Sequence, residues 1–497
     1  MSETRTAPSN PPPTGAPRQT RRPLTVAALL LALFMAAMEM TVVSTAMPTV
    51  VAELGGALHY AWVFTAYMLT STVTVPIYGK LADLYGRKPV MLVAMALFLI
   101  GSMASGQART MGQLIAFRAV QGVGAGGMQP MALTIVGDIF AIEERARMQG
   151  VFGAVWAVAG LAGPLLGGAI VATLSWRWVF YVNVPFGIIS AALLVFSLVE
   201  TIEKKDHTLD VLGALLMSGS VIALLLGTDG VMPFVLLPVS AILLLGFLVV
   251  EKRAKEPLVP LALFAQRMLA TSSGLGVTSG GAMIGLMTFV PLYAQGVLGT
   301  GPTEAGSTIA TMAVAWPVAS AISGRLIARI GFRALVRIGF TLTAFATVAL
   351  AWSMRNGGGS VTTLRIASAC FGIGMGFGNT PLVIAVQTSV TFSQRGVATA
   401  STMFFRNIGG TVAVGVMGVV LASTLLAGAA SGAGGADLVA RILGPERRSI
   451  ESNVLTAIAG DLARGLDRVM IIVVVLTILA MGLAWVFPKE VKPPPAA

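Results

Sequence analysis

Long apolar runs, each near the roughly 20 residues that cross a bilayer core, recur along the whole chain between short polar segments. The pattern predicts helical spans at about Leu24–Ala46, Ala61–Tyr78, Pro89–Gly106, Gly112–Gly137, Gly150–Leu174 and Val184–Val199. Two more follow at about Val211–Leu226 and Pro233–Val250. A second series runs Thr271–Leu292, Ala305–Ala328, Ala334–Ala351, Leu364–Val386, Val397–Leu421 and Val469–Phe487. The expected fold class is therefore an all-α polytopic membrane protein with about fourteen spans. A β-barrel would instead show short segments of alternating hydropathy.

The series repeats itself. GKLADLYGRK begins at Gly79 and GRLIARIGFR at Gly324, each after the second span of a six-span block. Duplicated blocks in the same orientation are the trace of a transporter with two halves around a central site. The expected organisation is a disordered cytoplasmic tail over 1–23, a six-helix bundle over 24–200, and two inserted helices with a basic loop over 201–268. A second six-helix bundle over 269–487, carrying a long extracytoplasmic loop at 422–468, and a cytoplasmic tail over 488–497 complete it. The first apolar run is too long for a cleavable signal.

Composition narrows the picture. Hydrophobic residues make up 56% and charged residues 11%, against about 25% charge in soluble domains. The single cysteine, Cys370, excludes an internal disulfide, and two distant histidines, His59 and His207, argue against a histidine-rich metal site. The net charge of +12 is spread over loops and forms no basic domain, so nucleic acid is not an expected partner. Lys80, Arg87, Lys88, Arg145, Arg147, Lys252 and Arg253 fall in alternate loops, while the opposite short loops hold little more than Arg109, Arg177 and Arg355. That bias orients the chain in the cell membrane with both termini cytoplasmic.

The candidate chemistry lies inside the spans. FMAAMEMTVVSTAMPTV carries one carboxylate, Glu39. A charged group at the bilayer centre costs about 2.5–3.5 kcal/mol on insertion scales, so Glu39 needs a partner, a proton or water. LIAFRAVQGVGAGG places Arg118 within or near the fourth span, followed by glycines that let helices approach closely. Arg118 is the expected electrostatic partner of Glu39. In GKLADLYGRKPV, Gly79 and Gly86 suit a tight turn, and Asp83 can meet a neighbouring helix N-terminus or pair with Arg87, beside Lys88. GLAGPLLGG puts Gly163, Pro164, Gly167 and Gly168 in the fifth span, where they suit bending and close packing. Met35, Met40, Thr41, Gln129, Asn379 and Arg406 are candidates for an adaptable substrate cavity. The amides among them could equally bond to adjacent helices. SWRWVFYVNVP is expected to form an aromatic belt at the bilayer interface.

These motifs resemble those of the major facilitator superfamily. GKLADLYGRK resembles the loop that latches the two halves of such proteins, which implies a gating role for Asp83 and Arg87. The second copy has Ala328 where Asp83 stands, so the latch is expected to be asymmetric. The run at Arg118 resembles the motif whose arginine is implicated in proton transfer, and GLAGPLLGG resembles the antiporter motif associated with export. Within the superfamily, the segment around Glu39, Thr41, Ser44 and Pro48, with WRWVFYVNVPFG and the inserted pair of spans, resembles the fourteen-span drug:proton antiporters (EmrB/QacA type). Here Glu39 replaces the usual Asp and Ser44 the usual Asn.

The resemblance implies two six-helix bundles plus two inserted central helices, and proton-coupled export of hydrophobic or cationic drugs by alternating access. Protons, a small amphiphilic or cationic substrate and the lipid bilayer are the implied partners, with no cofactor and no metal. An exporter of an endogenous lipid, peptide or metabolite remains an alternative. An enzyme is disfavoured because there is no Ser/His/Asp set or histidine cluster, and the lack of a phosphate-binding glycine loop disfavours an ATP-driven pump.

Overall fold

The computed structural model describes residues 20–54, 60–200, 210–228, 231–254, 257, 264–355, 359–430 and 452–488. These residues are helical apart from short connections. The helices are α1 (Arg22–Leu54), α2 (Tyr60–Tyr85), α3 (Arg87–Gly106), α4 (Met111–Ile139), α5 (Ile142–Thr173), α6 (Trp178–Tyr181) and α7 (Asn183–Ser197). Next come α8 (Val211–Thr228) and α9 (Pro233–Glu251). The last group is α10 (Arg267–Gly296), α11 (Pro302–Met354), α12 (Val361–Thr388), α13 (Arg395–Ala430) and α14 (Ser452–Val486). Among the described residues, 10 stretches are long and apolar enough to cross a membrane. A helix is the form a spanning segment takes, because it satisfies each backbone N–H and C=O within itself where no water is available.

Packing repeats between the halves. In the first, α1 lies on α5 and α7, α4 lies on α2 and α3, and α3 touches α7. In the second, α10 lies on α13 and α14, while α11 lies on α12 and α14. Each half has its own apolar core, one around Leu29, Met91, Phe98 and Met131, the other around Leu286, Phe340, Phe371 and Val473. The halves meet through α2 against α13 and α5 against α11. The pair α8 and α9 pack on each other, and α8 reaches α2 and α13 at that seam.

The duplicated motif is visible in the backbone. Gly86 ends α2 with φ 94°, and its counterpart Gly331 interrupts α11 with φ 78°. Both lie in the left-handed region that glycine enters at little cost. The segment Gly79–Lys88 is therefore no open loop: α2 continues to Tyr85 and α3 starts at Arg87.

Two further expectations change. The long loop expected at 422–468 is shorter at both ends, because α13 extends to Ala430 and α14 begins at Ser452. Alanine-rich sequence sustains the first extension, and an Asp461–Arg464 pair one turn apart supports the second. The expected aromatic belt is only partly at the surface. Trp178 is exposed, but Trp176, Phe180 and Asn183 turn into the first bundle. Residues 1–19 and 489–497, His59 and His207 lie outside the described residues, while the expected disordered tail ends sooner than 23, because Thr20 bonds the Val199 carbonyl and α1 begins at Arg22.

Candidate functional site

Glu39 lies midway along α1 and is 1% accessible. Arg118 of α4 donates through Nη1 to Oε1 at 2.5 Å, and Asn183, which opens α7, donates through Nδ2 to Oε2 at 2.6 Å. The same Nδ2 reaches Ser102 Oγ on α3 at 3.0 Å, and that hydroxyl donates to the Phe180 carbonyl at 2.8 Å. Arg118 also donates to Gln121 Oε1 at 2.8 Å and, through Nε, to the Val63 carbonyl at 3.3 Å. Its guanidinium carbon sits 4.2 Å from the centre of the Tyr67 ring. Five helices of the first bundle thus converge on one carboxylate.

Local sequence explains the convergence. Gly122 and Gly126 of α4 let α2 come so close that added Cβ atoms would lie 2.2 Å from Thr70 Oγ1 and Thr74 Oγ1. Those hydroxyls donate to the α4 carbonyls of Ala119 and Val123 at 2.8 and 3.3 Å. Small residues and interhelical hydroxyl bonds fix α4 against α2 and set the depth of Arg118. One buried polar atom of the cluster, Asn183 Oδ1, has no hydrogen-bond partner among the described residues.

A second polar cluster bridges the halves at the end of the bundles that bears Gly79–Lys88. Asp83 accepts the backbone N–H of Gly396 at 3.0 Å on Oδ1 and that of Val397 at 2.8 Å on Oδ2. The carboxylate therefore caps the N-terminus of α13, where a helix presents free donors and positive potential. Arg87 pairs with Asp83 at 3.1 Å and with Asp138, on α4, at 3.1 Å. It donates to the Phe392 carbonyl at 2.8 Å, with its guanidinium 4.7 Å from the Phe392 ring centre. Arg395 closes the group on Asp138 at 3.2 Å.

Gly79 lets α2 and α13 touch, since a Cβ there would lie 2.5 Å from Ala400 Cβ. Glu200 accepts the N–H groups of Arg87 and Lys88 at 2.7 and 2.9 Å, capping α3. Lys88 Nζ donates to the Val195 and Leu198 carbonyls at the end of α7. At the pseudo-equivalent place in the second half, Phe332 stands for Arg87, and the contact with Ile142 of α5 is apolar. Among the described residues, this Asp–Arg cluster exists on one side of the duplication.

The structure thus brings Glu39 to Arg118, and Gly79, Asp83, Gly86, Arg87 and Lys88 into one junction. The remaining candidates are scattered. Gly163 sits at the α1–α5 crossing, where Thr41 Oγ1 donates to the Met38 carbonyl at 2.9 Å and the Ala159 carbonyl at 3.2 Å. Gly167 is buried and Gly168 exposed, while the side chains of Pro164 and Met40 lie outside the described residues. Met35 belongs to the core of the first bundle and presents no accessible surface, so it lines no cavity in this conformation. Gln129 on α4, Asn379 on α12 and Arg406 on α13 stay within their helices without a hydrogen bond to a described residue.

A Cβ at Gly163 would lie 1.9 Å from Thr41 Oγ1 and 2.7 Å from Thr41 Cβ. We expect Gly163→Val to separate α1 from α5 and to lower stability by about 1–3 kcal/mol. The test is the melting temperature of detergent-purified protein. An unchanged value would mean that the crossing tolerates bulk.

Sequence reasoning missed Asn183, Tyr67 and Asp138. Asn183 lay inside an apparent surface belt, and Asp138 among loop charges. It also missed Glu53 at the far end of α1, whose carboxylate accepts from Arg177 at 2.6 Å and Trp176 Nε1 at 2.8 Å. The Arg177 hydrogen bond, foremost, holds the Glu53 carboxyl below its ordinary range.

Comparison with known proteins fits this architecture. The chain is 37% identical over 413 residues to the multidrug transporter protein MdtP of Bacillus subtilis, covering 81% of this chain and 76% of that one. It is 35% identical over 412 residues to multidrug resistance protein 3 of the same organism, covering 81% and 80%. Two solved structures share the fold at a TM-score of 0.61: the human organic anion transporter MFSD10 (15% identity, 92% of this chain and 100% of that one) and the proton:xylose symporter XylE (12% identity, 95% and 96%). The model of the Major Facilitator Superfamily matches residues 29–414. With duplicated bundles and a match over most of its length, this multi-pass membrane protein belongs to the major facilitator superfamily.

Proposed function

We propose that the protein is a proton-coupled exporter of hydrophobic or cationic drugs and other amphiphiles, working by alternating access in the cell membrane. The observation that carries this reading is the sealed Glu39–Arg118 pair at the centre of the first bundle. A buried carboxylate that can be neutralised by a proton is the element such coupling needs. Protonation removes the charge that balances Arg118, and the new O–H needs an acceptor. Asn183 Oδ1, unpaired on the amide that already touches Glu39, is within the same cluster to supply one. Relatives named as multidrug transporters support drugs as substrates.

The two bundles with an inserted pair match a fourteen-span plan once α11 is counted as two spans broken at Gly331 and α2, α4 and α5 are added to the stretches apolar enough to cross. The Asp83–Arg87 junction then serves as the cytoplasmic latch between halves, and both termini are cytoplasmic. One proton moving down about 100 mV supplies about 2.3 kcal/mol, which sustains roughly a fifty-fold gradient of a neutral solute.

The test is reconstitution in liposomes with an imposed pH gradient and a fluorescent cationic dye. Saturable dye movement that stops when an ionophore collapses the gradient is expected. Dye flux that is non-saturable or indifferent to the gradient would overturn the reading.

A further inference from the structure

Arg406 is a half-buried intramembrane arginine with no counter-charge among the described residues. Its Nε is sealed from solvent without a partner, and no ion pair or hydrogen bond reaches its side chain among the described residues. Among the described carboxylates of the second half, Asp461 pairs with Arg464, and Asp467 lies near Tyr293 at the far end of α10. Glu304 is the only acidic residue between Glu256 and Asp437, and it lies in the first turn of α11, on the far side of the bundle from the Gly331 break. Glu39 is committed to Arg118 and Asn183 within the first bundle. A buried cation left unpaired is costly, so such groups persist where something else supplies the charge.

Arg406 also cannot escape along its own stem to an interface. At the α10–α13 crossing, a Cβ on Gly280 would lie 2.1 Å from the Arg406 carbonyl oxygen and 2.9 Å from its Cγ. The stem is therefore held between two helices. Its depth follows from the latch end, where α4, α12 and α13 are tied together. Arg395 bonds Asp138 at 3.2 Å, and Gln387 Nε2 reaches the Leu133 carbonyl and Thr399 Oγ1, each at 3.3 Å. From those ends, Arg406 on α13, Asn379 on α12 and Gln129 on α4 all lie about ten residues along their helices, or about 15 Å, half the thickness of a bilayer core. Three polar side chains, each without a hydrogen-bond partner among the described residues, thus share the membrane midplane on three adjoining helices.

We propose that Arg406, with the Gln129 and Asn379 amides at its level, forms a subsite for the anionic group of a substrate, so that the protein exports acidic or zwitterionic amphiphiles bearing a carboxylate or sulfonate. This rests on the proton-coupled export proposed above and departs from that reading in the charge of the substrate, which it makes anionic or zwitterionic. A guanidinium offers five donors in a fork that matches such groups. The midplane position favours a soluble amphiphile over a lipid phosphate, which sits at the interface.

The test uses three probes with one apolar body: 2-naphthoate, naphthalene-2-sulfonate and 2-naphthylmethylammonium. Binding is followed by naphthalene fluorescence with the full chain in phosphatidylcholine nanodiscs. The wild type is expected to bind the two anions at least about tenfold more tightly than the cation, the scale of one charge-assisted hydrogen bond. Arg406→Gln should reduce the ratio of anion to cation affinity at least tenfold, and Arg406→Lys should restore part of it.

Equal binding of anion and cation by the wild type would overturn the proposal without any variant. So would an Arg406→Gln protein whose anion and cation affinities fall together, because a purely structural role predicts that result. Adding phosphatidylglycerol to the nanodiscs separates the two sources of an anion. A stabilisation by that lipid which is lost in Arg406→Gln, with no naphthoate binding, would assign the arginine to lipid and overturn the proposal. Gradient-driven export of the cation without recognition of the anions would defeat this inference and leave the exporter reading standing.

Discussion

Glu39→Gln is expected to abolish coupling: in proteoliposomes with about 100 mV of proton motive force, the sustained substrate gradient falls from roughly fifty-fold to none. The amide keeps the size and hydrogen-bonding reach of the side chain but cannot exchange a proton. It also leaves Arg118 in the bundle without its charge partner, 1% accessible. Removing one member of a buried pair costs about 3–5 kcal/mol, so the variant should melt well below the wild type. Loss of stability could by itself reduce transport, and a second substitution separates the two effects. Glu39→Gln with Arg118→Met removes the orphaned charge and should recover most of the melting temperature while transport stays at background. Glu39→Asp should keep coupling in weakened form, because the shorter side chain still titrates but retreats from Arg118 Nη1 and Asn183 Nδ2, now at 2.5 and 2.6 Å. A Glu39→Gln protein that still builds a gradient would remove this residue from the coupling mechanism.

The Glu39–Arg118 pair was legible in the sequence because charge inside an apolar run is expensive, and opposite charges in one membrane bundle have few other ways to be satisfied. What the sequence could not show is which face of α1 carries Glu39. The helix is apolar on all sides, so no amphipathic stripe points to its neighbours. Its partners Arg118 and Asn183 come from α4 and α7 of its own bundle, and the groups that hold those two come from α2 and α3 of the same bundle.

Asn183 shows the opposite difficulty. It sits among Trp176, Trp178, Phe180 and Tyr181, and such a run reads as an interfacial belt. The short helix α6 and the start of α7 wind Trp176, Phe180 and Asn183 inward while leaving Trp178 outside. A turn of that kind depends on packing against α1 and α3, which local sequence does not encode. The repeat was readable from glycine spacing, since Gly86 and Gly331 both serve a backbone that other residues resist. The reach of α13 and α14 was not, because polar and alanine-rich sequence can form helix or loop depending on what it meets.

Asp83→Asn is expected to shift the balance of conformations toward the state open at the latch, by about a hundredfold. Three charge-assisted contacts depend on this carboxylate: the N–H groups of Gly396 and Val397, at 3.0 and 2.8 Å, and Arg87 at 3.1 Å. An asparagine can still accept one N–H, but its amide nitrogen then meets another donor. Loss of a helix cap costs about 1 kcal/mol and loss of a buried charge partner more, so about 3 kcal/mol is a reasonable sum, or slightly over two powers of ten. The junction is shared, because Asp138 still holds Arg87 and Arg395. Asp83→Asn should therefore weaken closure without unfolding the protein. Spin labels on α2 and α13 at the latch end, on a background in which Cys370 is replaced by alanine, would report the distance between the halves. A longer mean distance, with substrate exchange retained and net pumping slowed, is the expected result. Ala328→Asp supplies the control. It places an acid at the duplicated position, but Phe332 offers it no cation and the α5–α11 contact there is apolar, so the label distances should not change. If Asp83→Asn leaves the distances at their wild-type values, the junction is a consequence of closure and not what holds the halves together.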